Sequence, residues 1–189
     1  MLTYFDLRKG VKFILDSQPC EVLDFQQIKS AQRRPVARVK ARNLITGQVL
    51  EKTFQQSDVF EEAEIEKIDL KFLYSHKQNY CFSKLENPSE RFNFTELQIS
   101  ENAKFLKPNQ VLQGIVFNGK IVNISLPIKV HLKVIEAPPG IKGDRAQGGT
   151  KMVKLETGVL LNVPLFIKQG DIIEVNTETA EYIKKSRIS

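Results

Sequence analysis

At 189 residues, with 41% hydrophobic content and a formal net charge of +6, the chain can form one domain or a few small ones of ordinary globular composition. Two cysteines and two histidines are too few for a disulfide framework, a zinc site or a Ser-His-Asp hydrolase. No apolar run approaches the length of a membrane span, and Asp6 stands where a secretory leader would be apolar, which predicts a cytoplasmic protein with no membrane partner.

Short alternating runs dominate the chain from its start. Residues 12–17, 20–25, 36–44 and 49–54 read as strands, with Thr46 and Gly47 marking a turn. Residues 72–82 predict a hairpin turning at Lys77 to Asn79. The alternate aromatics Phe72, Tyr74, Tyr80 and Phe82 fit core filling better than a surface for stacking on RNA bases. Residues 95–106 carry the one weakly helical pattern, closed by Pro108. Asn118-Gly119, flanked by alternating apolar residues, is the strongest hairpin signal. Strands follow at 129–137, 152–158, 159–166 and 171–183. This pattern predicts an all-β protein of small barrels, divided near Glu64 and Pro127 into units 1–64, 65–126 and 127–189. Cys20 and Cys81 fall in different units and read as buried, reduced thiols.

Charge is unevenly distributed. Lys29, Arg33, Arg34, Arg38, Lys40 and Arg42 lie between Asp24 and Glu51 with no acid among them, while 58–66 is an acidic run. A basic stretch of this kind suits phosphate contact, although a solvated face would explain it equally well. Paired carboxylates, a Cys-His pair and a phosphate-binding loop are absent from the sequence, so neither an enzyme nor a cofactor is expected.

The last third carries Lys151, Gly158, Val163, Pro164 and Gly170 in a spacing that resembles the third domain of bacterial elongation factor P, with Val153 in place of a usual Ala. Residues 24–47 resemble that family's first domain without a gap. The resemblance implies an SH3-like (KOW-type) barrel followed by two OB-fold barrels in an L shape that imitates tRNA. It also implies a monomer without catalytic groups, which binds the ribosome between the P and E sites and promotes peptide bonds at polyproline stalls by positioning peptidyl-tRNA. The partners implied are ribosomal RNA, P-site tRNA and the E-site codon.

By the same resemblance the tip of the 24–47 hairpin is Gln32, where the family has a Lys or Arg that is often modified. Ser30, Ala31 and Arg33 replace the family's flanking Pro-Gly and Gly. A Gln amide cannot take the extensions made on a Lys amine or an Arg guanidinium. Three readings follow: an unmodified tip of Gln32 aided by Lys29, Arg33 and Arg34; a tip taken over by Arg33; or a diverged paralogue with another ribosomal task. A general RNA-binding or chaperone module is the rival class. Arg38, Lys40 and Arg42 are further RNA-binding candidates. In the third unit Gly143, Asp144 and Arg145, with Gly148 and Gly149, match the family's loop near the E-site codon. Tyr182 retains a family position and either stacks on a base or caps the barrel. Lys185 stands where the family has Arg.

Overall fold

The computed structural model describes residues 1–30, 33–139 and 149–186, and only the backbone of 29, 30, 33 and 34. The chain forms β1 (Leu2–Thr3), β2 (Lys12–Leu15), β3 (Gln18–Ser30), β4 (Arg33–Asn43), β5 (Val49–Gln55), β6 (Val59–Phe60), β7 (Glu66–His76), β8 (Asn79–Lys84) and β9 (Arg91–Thr95). The helix α1 (Glu96–Ile99) and a 3-10 turn (Ser100–Phe105) follow, then β10 (Val111–Phe117), β11 (Lys120–Ser125), β12 (Lys129–Glu136), β13 (Thr150–Leu155), β14 (Leu160–Pro164), β15 (Ile172–Asn176) and β16 (Glu181–Lys185).

In the first unit, β2-β3-β4-β5 form an antiparallel sheet, and the β1–β6 pair closes over it. The inner face sets the small Ala37, Val39 and Ala41 against Phe13 and Phe54. Phe60 meets Phe54 edge-on at 4.6 Å between ring centroids. Small residues on the central strand give the large rings room to interleave, as close packing requires.

The second and third units repeat one topology. Their strand orders are β11-β10-β7-β8-β9 and β14-β13-β12-β15-β16. Each five-stranded sheet curls around a core, Leu70, Phe82 and Ile124 in the second and Leu132, Val163 and Ile173 in the third. Both are OB-like half-barrels rather than the closed barrels expected, because no ladder joins β9 to β11 or β14 to β16. In the second unit the helical segment stands beside this opening. Thr95 and Gln98 form a capping box at its start, and Ile99 is buried in the core.

Several contacts join successive units, two of them through the helical segment. The turn after β4 docks on α1 and β11 through Asn123 and Gln98. Phe105, 1% exposed, leaves the second unit's 3-10 turn and inserts into the third unit's core. A phenylalanine placed this way withdraws its whole ring from water without belonging to the sheet it fills.

Tyr74 departs from its expected role. Phe72 and Phe82 are buried and Tyr80 is half-buried, as core filling requires, but Tyr74 is 52% exposed. The β7–β8 register slips between Phe72 and Tyr74, and one extra residue turns the tyrosine outward.

Candidate nucleic-acid interface

The 24–47 hairpin is a β3–β4 ladder that runs from Asp24–Lys40 out to Ser30–Arg33. Gln26 pairs with Arg38, Gln27 with Ala37, Ile28 with Val36 and Ser30 with Arg33. β5 runs along β4 as far as Val36, so the arm is two-stranded only beyond Ile28 and Val36. The outward face of such a sheet carries polar side chains as a loop does, so polarity does not mark a loop there. Counting strand rise from the buried Ala37, the Arg33 backbone lies on the order of 13 Å further out. Gln32 lies outside the described residues, and so do Gly143, Asp144, Arg145 and Gly148. Lys29, Arg33 and Arg34 belong to the arm's strands.

Arg38, Lys40 and Arg42 share the outer face of β4, opposite the buried Ala37, Val39 and Ala41. Neighbouring strands place acids beside them. Arg38 pairs with Glu51 at 3.3 Å, Lys40 lies between Asp24 and Glu51, and Arg42 lies across from Glu21. The run of bases in the sequence is therefore interleaved with carboxylates in space. Exposed pairs of this kind contribute little to stability, so Arg38 and Lys40 stay available to a stronger anion. Arg42 differs: it is half-buried and lines a cleft where all three units meet.

In the third unit, the residues that carry the family resemblance build the sheet. Val153 and Val163 are buried, Val153 opposite Leu161 and Val163 opposite Lys151 in the β13–β14 ladder. Gly158 and Gly170 adopt φ of 88° and 92°, where a side chain would be strained. Lys151 donates from Nζ to the Pro138 carbonyl at 2.9 Å. Tyr182 is half-buried against the third core, the position of a cap. Lys185 reaches Asp171 at 2.8 Å. Burial pushes the Asp171 carboxyl up, but hydrogen bonds from Lys185 and the Lys168 N–H, with both lysine charges, outweigh it and hold the group below its ordinary value. Among the described residues no three His, Cys, Asp or Glu side chains gather as a metal site, and no helix is long and apolar enough to cross a membrane.

Three family descriptions match in sequence along the chain. They are the elongation factor P KOW-like domain over residues 4–60, the elongation factor P OB domain over 65–124 and the elongation factor P C-terminal domain over 130–185. The chain belongs to the elongation factor P family. It is 37% identical over 185 residues to elongation factor P of Carboxydothermus hydrogenoformans, covering 98% of this chain and all of that one. It is 40% identical over 183 residues to the Synechococcus protein, covering 97% and 98% of the two chains. The Thermodesulfovibrio yellowstonii protein is 37% identical over 185 residues, covering 98% of each. A solved eukaryotic translation initiation factor 5A from Methanococcus jannaschii overlaps 65% of this chain and 94% of its own, at 21% identity and a TM-score of 0.44. Membership makes this chain a translation factor that works with the ribosome and is not an enzyme.

The residues that join the units carry almost no mark in the sequence pattern. Asn123, Gln98, Gly47 and Phe105 looked like an ordinary strand, helix and turn. Only Asn123 left a trace, as a polar residue in the apolar run 121–126.

Proposed function

We propose that this factor binds the ribosome between the P and E sites and speeds peptide-bond formation at polyproline stalls by holding peptidyl-tRNA in a productive geometry. The observation that carries the reading is the β3–β4 arm, which projects beyond its core with Lys29, Arg33 and Arg34 on its strands and Gln32 at the family's tip position. Ribosomal RNA performs the chemistry; the protein lowers the entropic cost of alignment. In this account the units are 1–64, 65–126 and 127–189, arranged as an L, and the factor acts as a cytoplasmic monomer. Arg38 and Lys40 contact RNA phosphate beside the arm. Gly143, Asp144 and Arg145 meet RNA near the E-site codon, with Lys185 close to the same surface.

Competition on the ribosome tests this placement. Binding is measured on ribosomes carrying P-site peptidyl-tRNA, with the E site empty or filled by deacylated tRNA. Occupied E sites should exclude the factor, and binding should weaken steeply with salt, with a log–log slope of roughly −4 for about six phosphate contacts. Equal binding to both ribosome states would refute the placement.

Gln32 supports a second reading, a paralogue that occupies the same place for another task. An uncharged tip cannot carry the charge that the family's usual Lys or Arg brings to the end of the tRNA.

A further inference from the structure

The cleft at the junction of the three units has a volume of about 500 Å³. Its walls come from the outer face of the first sheet (Lys12, Glu21, Arg42) and Lys9 in the turn before it, from Lys67 and the 3-10 turn of the second unit, and from Glu178 of the third. That volume is within the range of small-molecule sites and far exceeds the space of a single water.

Its charges do not cancel. Lys12, Glu21 and Arg42 occupy one cross-strand row, with the carboxylate between the two cations. Lys12 takes that carboxylate, at 3.5 Å. Glu101 is engaged by Lys104 at 2.5 Å. Among the described residues, Lys9, Arg42 and Lys67 then have no acid within ion-pair distance, and Glu178 is the one cleft carboxylate without a cation. The Arg42 Nε is sealed from solvent and has no acceptor. A buried N–H donor without an acceptor is costly, and a guanidinium donor more so. An atom closed to water is closed to phosphate as well, so an incoming anion meets this guanidinium at its terminal N–H groups, and the Nε–H reports the change from beside them.

We infer that this cleft is a phosphate-binding site, anchored by Arg42 and flanked by Lys9 and Lys67, that takes a backbone phosphate of RNA. The inference rests on the reading of the chain as a ribosome-bound factor. A phosphate fits the donor set because guanidinium N–H groups meet its oxygens in a fixed fork while the lysines supply unoriented charge. Because the cations come from two different units, an occupied cleft also ties the first unit to the second. Arg42 thus works at a junction well away from the arm that carries Arg33 and Arg34.

The test follows the Arg42 Nε–H resonance of the full chain during titration with inorganic phosphate and, separately, with a short single-stranded RNA. Both probes should shift it, RNA at lower concentration. Arg42→Gln and, from the other wall, Lys67→Gln should each weaken RNA binding, Arg42→Gln by about tenfold, and flatten its salt slope by about 0.7. Lys52→Gln, on a lysine paired with Asp16 outside the cleft, should bind as the parent does. A resonance unmoved by either probe would overturn the site, and water would then be its occupant. A shift with phosphate but not with RNA would overturn the RNA assignment. Unchanged RNA binding by both cleft variants, in a factor that still stimulates polyproline synthesis, would sink this inference and leave the proposed function standing.

Discussion

Asn123 Nδ2 donates to the Leu44 carbonyl at 3.0 Å and to the Gln98 carbonyl at 2.9 Å. One buried amide in the second unit thus fastens the turn of the first unit to the end of helix α1. Gln98 returns the contact, donating from Nε2 to the Ile45 carbonyl at 2.8 Å. Around these bonds Leu44, Ile115 and Val122 form a small shared apolar core.

Gly47 sits in the same joint with φ +77°, and a Cβ added there would lie 2.1 Å from the Leu97 carbonyl oxygen. Gly47→Ala should therefore cost roughly 2–4 kcal/mol, from backbone strain and from forcing the units apart. Asn123→Ala should cost about 1–3 kcal/mol by leaving two carbonyls unsatisfied. Denaturant melts of both variants check this, and parent-like midpoints would show that the joint is not a stabilising contact.

Phe105 fixes the other joint. Phe105→Ala should destabilise the third unit by about 3–5 kcal/mol, because the ring leaves a cavity among Leu132, Leu155 and Ile173. Hydrogen exchange should then show β12–β16 opening before the first sheet. Uniform exchange across all three sheets would argue against a knob serving the third unit.

Asp171 sets a pH response. Its folded pKa lies below the ordinary value of 3.8, so the unfolded chain binds the proton more readily. Its contribution to stability is complete above that value and is lost as pH falls through the lowered folded pKa. Asp171→Asn should be less stable at neutral pH and should lose less Tm than the parent between about pH 5 and pH 2. Parallel Tm–pH curves would remove Asp171 from the acid response.

Cys20 and Cys81 are 1% and 4% exposed. Burial, with the charge of Asp16, raises the Cys20 thiol pKa, while Lys52 works in the opposite direction. Neither thiol should react with an aromatic disulfide reagent in the folded state, and both should react on unfolding. Fast labelling of either in native buffer would contradict its burial.

What could be read from the sequence was local. Asn118 and Gly119 turn with φ of 49° and 73°, the geometry that dipeptide favours. The spacing of Val163, Pro164 and Gly170 was legible because each position is demanded by its own strand or turn. The open edges β9–β11 and β14–β16 were not, because closure depends on strands far apart in sequence. The outward turn of Tyr74 depends on a single inserted residue, which alternation does not reveal. Arg42 looked like its neighbours Arg38 and Lys40, and only the meeting of three units sets it apart.

The central claim is tested most directly by the rate of Pro-Pro-Pro synthesis in a reconstituted translation system, with and without recombinant factor whose mass shows no modification. The account predicts a clear acceleration, lost in Arg33→Ala/Arg34→Ala. An unchanged rate, with the factor bound to the ribosome, would contradict it and favour the paralogue with a separate task.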